Sequence, residues 1–384
     1  MSPSTHHLAV FTVVASITCG IAGPAQAEEA PPAAEAGEPG VLRYKEIEIK
    51  PDIKLFADYQ VDVSDEDLSN AFHVTRAYLG MKLRVTPWLS ARVTYDVTTA
   101  VDIGASGDYS VVDDGISVSD SKVNGSLVGR LKYAYLNVGI LPIDSNLRFG
   151  VVHTPWIDWI SHIEGTRFLR KAMWEKEYHY PSSDFGVAFI GHAGDVLAYH
   201  VGVYNGEGYH GLEQIGFKDV IGRLSLRPAP HDKVLGGLQI SAYAHGEFPL
   251  EDGEETDRRL GGAVTWRIAD EIKDADCHKV KGDKAAFWFQ IKSGQHGDPA
   301  DHLANNLGMS FGARVELPAH LFVIGRGDRF DPDLDADDDE YWRAIGAFGF
   351  RAHKTFHVAL AYQAELPMVG DAQHLIGIHT EFRL

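Results

Sequence analysis

The chain has 384 residues, with 54 Asp and Glu against 35 Lys and Arg, a formal charge of −19 at pH 7. That balance argues against a nucleic-acid partner, because gripping a phosphate backbone needs a basic surface. Two cysteines exclude a disulfide-stapled scaffold, whereas 39 glycines at near-neutral hydropathy suit a membrane barrel and a soluble β-protein alike.

Residues 1–27 contain no Asp, Glu, Lys or Arg, hold an apolar core over 8–21 and end in small residues at Ala25 and Ala27. This is the pattern of a cleavable secretory signal. Cys19 lies inside that core and leaves with it, so Cys277 is the one cysteine of the mature chain and no internal disulfide can form. Residues 28–45 open on an Ala, Glu and Pro tract over 28–40, expected to be a disordered periplasmic extension.

Residues 46–384 then read as sixteen short segments in which apolar and polar residues alternate: 47–61, 72–85, 88–98, 127–139, 146–153, 184–191, 196–205, 219–227, 234–245, 259–268, 285–292, 307–317, 320–330, 342–352, 356–366 and 373–384. In the second, Ala77, Leu79, Met81, Leu83 and Val85 share one face and Arg76, Lys82 and Arg84 the other. A lipid-facing strand is apolar at every second residue while the residues between face a wet lumen. Only helices and closed barrels satisfy all their backbone hydrogen bonds in a bilayer. The expected fold is therefore all-β, a transmembrane antiparallel barrel of about 16 strands. The fourth and thirteenth segments alternate poorly and are expected to carry bulges.

With the first strand running outward, inner turns fall at 86–87, 142–145, 194–195, 228–232, 318–319 and 353–354, all tight. The outer loops fall near 64–70, 101–125, 155–183, 206–216, 247–257, 294–305, 331–341 and 367–372, all longer. The inner turn 270–283 is long and charged, against this rule, and nothing in the sequence accounts for it.

Loop 155–183 is the longest, and its stretch 168–178 is dense in aromatic and charged residues, with room for a helical turn. So many aromatics are costly to leave in water, so the loop is expected to fold inward and narrow the pore. A lid on top of the barrel is the alternative. Assigning each strand's polar face to the lumen gives about sixteen basic positions: Arg76, Lys82, Arg84, Arg92, Arg130, Lys132, Arg148, Arg223, Arg227, Arg259, Arg267, Lys292, Arg314, Arg326, Arg343 and Arg351. The acidic ones are about seven: Asp96, Asp184, Asp219, Glu316, Asp328, Glu365 and Glu381. A net-positive wall in a narrow aqueous pore favours anions, and the fork of Arg suits phosphate or carboxylate. The bland alternative is that these arginines pair with acidic neighbours.

The run Arg76, Ala77, Tyr78, Leu79, Gly80, the Pro87–Trp88 turn, Tyr95 with Asp96, the stretch Arg148, Phe149, Gly150 leading to Thr154, Pro155 and Trp156, and Asp331, Pro332 and Asp333 after Arg329 together resemble the phosphate-selective porin family of Gram-negative outer membranes. The resemblance implies a trimeric, sixteen-stranded channel conducting small anionic solutes past an arginine ladder and constriction lysines. Arg167, Arg170 and Lys171 are the loop residues expected nearest the narrowing. It also implies residence in outer-membrane lipid and recognition by the barrel-assembly machinery, for which Phe382, two residues before the terminal Leu384 and on the face of Ile376 and Ile378, is the candidate signal.

Other constellations are weaker. The acidic run from Asp331 to Glu340 lacks the glycine and ligand spacing of a calcium loop and reads as solvated. Cys277 beside His278 is too little for a metal site. No cofactor is expected, and nothing fixes an enzymatic Ser and His pair. A non-conducting structural or adhesive barrel is the second expectation for function.

Overall fold

The computed structural model describes residues 42–44, 47–64, 68–99, 127–140, 144–178, 180–210, 218–248, 258–296 and 304–384. The expected signal and extension lie outside these residues, as do most of loops 101–125, 206–216, 247–257 and 294–305.

The alternating segments form strands β1 (Ile47–Asp62), β2 (Ser69–Arg84), β3 (Leu89–Thr99), β4 (Leu127–Ile140), β5 (Ser145–His153), β6 (Ser183–Ala193), β7 (Leu197–Tyr204) and β8 (Lys218–Leu226). They continue with β9 (Leu238–Phe248), β10 (Arg258–Ile272), β11 (Val280–His296), β12 (Ala304–Glu316), β13 (Leu321–Asp331), β14 (Tyr341–His353), β15 (Phe356–Pro367) and β16 (Gln373–Arg383). Each pairs antiparallel with the next, and β16 closes on β1 through the register Phe382↔Leu55 and Ile378↔Tyr59. The result is a closed sixteen-stranded barrel. A three-residue strand, Leu42–Tyr44, folds back on the start of β1.

The faces are sorted opposite to those of a soluble protein. Leu79, Tyr95, Phe149, Leu224, Phe311, Leu360 and Ile378 stand exposed on the outside, while Asp96, Ser225, Gln290, Ser310, Arg326 and Asp328 are buried inside. An apolar belt of this extent would be insoluble in water and is matched to hydrocarbon. It decides the choice that composition left open. Phe382 and Leu384 lie on this outer face with Ile376 and Ile378.

Register faults fall where they matter. In β4 two residues step past one of β3, with Thr94↔Tyr133 followed by Tyr95↔Leu131, so Lys132 is the extra residue of a bulge. The bulge turns Lys132 and Tyr133 inward together, and both are buried. The bulge expected in the thirteenth strand is absent: β13 pairs without a break with β12 and β14.

Two inner turns need correction. The turn expected at 228–232 runs from 227 to 237 and contains the short 3-10 helix Leu235–Gly237. Half of the unexplained span 270–283 is strand, and its turn, 273–279, tucks into the barrel. Arg227 donates to the carbonyls of Asp274 and Gly236, Gln239 to that of Ala275, and Arg267 to that of Cys277. Arg223 holds the Asp276 carboxylate at 2.8 Å. Its charge is the price of binding inside a polar wall. Cys277 is fully enclosed, and burial pushes its thiol up to about 12.

Candidate functional site

The loop between β5 and β6 is held at its neck by Thr154, whose hydroxyl donates to the Pro181 carbonyl at 2.6 Å and whose N–H donates to that of Ser182 at 3.2 Å. It carries two helices, α1 (Ile157–Glu164) and α2 (Met173–Glu177). In α1 the spacing of Ile157, Ile160 and Ile163 makes a buried apolar stripe, and Gly165, with φ 65°, ends the helix in the left-handed conformation. The single helical turn expected in 168–178 corresponds to α2. The sequence reading missed α1, whose apolar spacing was its signal.

The loop folds into the barrel and fills one side of it. Trp156 stacks on Trp174 with ring centroids 4.2 Å apart and planes 6° from parallel, and Tyr243 of β9 meets both edge-on. Trp156, Trp174, Tyr178 and Tyr180 are all but fully enclosed. The wall makes room with glycine: a Cβ on Gly261 would lie 2.3 Å from Trp174 and 2.9 Å from the Ile291 carbonyl. Replacing Gly261 by valine is expected to eject Trp174 and abolish the exciton-coupled circular dichroism of the stacked indoles. A retained couplet would show that the pair does not depend on this seat.

Ionic tethers bind the loop across the lumen. Glu164 accepts from Gln290 at 2.6 Å and lies 3.6 Å from Arg326, which also donates to the Lys171 carbonyl. Arg343 reaches Glu177 and Glu365, each at 2.7 Å, and Arg170 reaches Glu365 at 3.0 Å. Toward β2 Arg167 forms a two-pronged ion pair with Glu175 and donates to the Tyr78 hydroxyl. Burial would raise the Glu175 carboxyl, but Arg167 and Arg76 outweigh it and hold it below the ordinary range. Burial, helped by Arg343, brings Arg170 down to about 10, so it is charged at neutral pH.

These contacts sort the expected wall residues. Arg223 and Arg343 point inward but lie enclosed, Arg223 consumed by the tucked turn and the Pro155 carbonyl and Arg343 by its tethers. Neither faces open lumen, because the loop and the turn cover that part of the wall. Arg259 is buried on the inner face of β10. Of the three loop cations, Arg170 is a tether and Lys171 gives its carbonyl to Arg326; only Arg167 lines the narrowing.

The open space among the described residues runs from the inner ends of β10–β16 round to β1–β5. A cavity of about 850 Å³ opens toward the short turns, lined by seven Lys and Arg, among them Arg267, Arg314, Arg351 and Arg383, against three acids, Asp158, Asp283 and Glu316. Sharing Lys54, Asp158, Ser161 and Arg167 with it is a narrow space of about 40 Å³ between the loop and Asp52, Arg92 and Lys132 of the wall, whose lining carries four cations and two acids. A separate basic recess of about 300 Å³ holds Lys82, Arg84, Arg92 and Arg148. Arg92 lies 2.7 Å from Asp52 and over the Tyr133 ring at 4.2 Å, and Lys132 donates to the Ser182 hydroxyl at 2.5 Å. Arg76 and Arg130 share Asp96, at 2.9 and 3.9 Å. Lys54, Asp52 and Asp158 were missed in sequence, although the alternation of Asp52, Lys54 and Phe56 marked one face of β1.

The barrel shares its fold with solved outer-membrane proteins. OmpT of Vibrio cholerae superposes with a TM-score of 0.57 at 10% identity, over 90% of this chain and 100% of its own. The anion-selective porin of Comamonas acidovorans gives 0.58 at 10%, over 88% and 100%, and the outer-membrane channel DcaP of Acinetobacter baumannii 0.58 at 11%, over 89% and 99%. The chain has the porin fold. No protein-family model and no curated protein sequence matches it. The likeness therefore supports outer-membrane porin architecture in general, and the narrower resemblance to phosphate-selective porins rests on its short motifs.

Proposed function

We propose that the chain is an outer-membrane porin, a water-filled channel for passive diffusion of small hydrophilic solutes that prefers anions such as phosphate. The observation that carries this is the cation surplus at the narrowing, where Lys54, Arg92, Lys132 and Arg167 face Asp52, Asp158 and the Glu175 that Arg167 holds. A water needs about 10–15 Å³ of such space, so about 40 Å³ admits a few waters or one partly dehydrated ion. In so confined a place fixed charges decide which sign of ion enters. The porin likeness agrees, and one of the similar structures is described as an anion-selective porin. The signal over 1–27, the periplasmic extension, outer-membrane lipid, the assembly machinery and a homotrimer complete the proposal, which assigns no enzymatic activity.

The test is the zero-current potential of the purified protein in a planar bilayer across a potassium chloride gradient. A sign showing that chloride carries the current is expected, followed by block on adding phosphate. A cation-selective sign would overturn the anion preference. The small bore favours one alternative, a barrel closed by its loop, and absence of current would establish it.

A further inference from the structure

On the wall of the barrel, near the ends of β8 and β9 that join the long loops, Asp219, His245 and Glu247 converge, with ligand atoms all within 4.8 Å of one another. Asp219 and Glu247 are directly paired across the two strands, and His245 projects from the same inner face one step further in. Asp219 and His245 are 5% and 6% exposed. A buried carboxylate oxygen or imidazole nitrogen normally finds a hydrogen-bond partner. Among the described residues, Asp219 Oδ1 and both ring nitrogens of His245 find none.

Their approach is telling. His245 Nε2 lies 2.9 Å from Asp219 Oδ2, yet the two are not aligned as donor and acceptor. Two lone-pair atoms set side by side at that distance lie within about 0.5 Å of the spacing of tetrahedral ligands on one ion, since bonds of roughly 2.1 Å at the tetrahedral angle separate ligands by about 3.4 Å. We propose that Asp219, His245 and Glu247 form a binding site for a divalent transition-metal ion, of which zinc is the model, holding β8 to β9 inside the lumen. One imidazole and two carboxylates suit zinc and its neighbours better than calcium, which takes oxygen ligands. The ion enters from the loop end, where Glu247 is only half-buried. The two strands supply a rigid frame for all three ligands on adjacent backbones, so no loop has to order when it binds. This site is separate from the narrowing and does not depend on the channel proposal.

The test uses the full-length protein, detergent-solubilised and stripped with a chelator, titrated with zinc chloride alone by calorimetry. With 19 histidines in the chain, background binding is separated by comparison with Asp219→Asn and His245→Gln. Each is expected to lose one equivalent of bound zinc, or to weaken that equivalent about a hundredfold. X-ray absorption of the wild-type complex at one equivalent is expected to show a single imidazole among oxygen ligands, a readout that stands even where a variant does not fold. Unchanged stoichiometry and affinity in a folded variant, or a coordination shell with two or more imidazoles, would overturn the assignment.

Discussion

Lys54→Glu is expected to remove the proposed anion preference and bring the anion-to-cation permeability ratio to unity or below. Lys54 lines both the wide cavity and the narrowing beneath it. The exchange changes the charge there by two units and turns four cations against two acids into three against three. At a separation of about 5 Å, and with water still filling the bore, two unit charges shift the energy of a passing ion by about 1–2 kcal/mol, a factor of roughly 5–30 in relative permeability. Arg170→Ala provides the contrast. Its guanidinium is spent on Glu365 and Gln363, so its loss should leave the zero-current potential nearly in place. A large shift with Arg170→Ala and none with Lys54→Glu would put the filter at the tethers instead of the narrowing.

The second large effect is expected from Trp174→Ala. Trp174 has no exposed surface and is gripped by Trp156, Tyr243 and the seat at Gly261. Emptying such a site costs about 3–5 kcal/mol of local stability, and that cost falls on the loop, since strand pairing does not involve it. The loop should swing off the wall, raising single-channel conductance roughly twofold or more with added open-channel noise. The barrel should keep its heat-modifiable migration on gels. Conductance equal to wild type would mean that the ion pairs of Arg343 with Glu177 and Arg326 with Glu164 hold the loop without its aromatic core.

The strands could be read from the sequence because a membrane barrel imposes one simple rule on every residue, and Leu79, Met81, Phe311 and Ile378 obey it visibly. Strand ends were less legible. Hydrogen bonding carried β10 to Ile272 and started β11 at Val280 through charged residues that read as turn. The pore lining was legible only in sign. Alternation says that Arg92, Arg223 and Arg343 all point inward, but which stretch of wall the loop covers depends on contacts over a hundred residues apart, such as Trp156 with Gln290. Those contacts hid Arg223 and Arg343 and left Arg92 open. The tucked turn was illegible for a like reason: Lys273, Asp274 and Asp276 look like a solvated tip until Arg223 and Arg227 are brought against them.

Away from the loop tethers, several acids of the inner wall are shared. Asp96 serves Arg76 and Arg130, Asp283 serves Arg267 and Arg314, and Glu316 serves Arg314 and Arg351. One carboxylate neutralises one guanidinium, and in the Asp283 and Glu316 cluster three guanidiniums, Arg267, Arg314 and Arg351, share two carboxylates, which leaves one positive charge in surplus there. On the proposed channel reading, a lumen built this way would behave as a bead of ion-exchange resin one protein wide: it would keep a standing population of small anions whatever the dilution outside, and a solute entering it would exchange places with an anion already there.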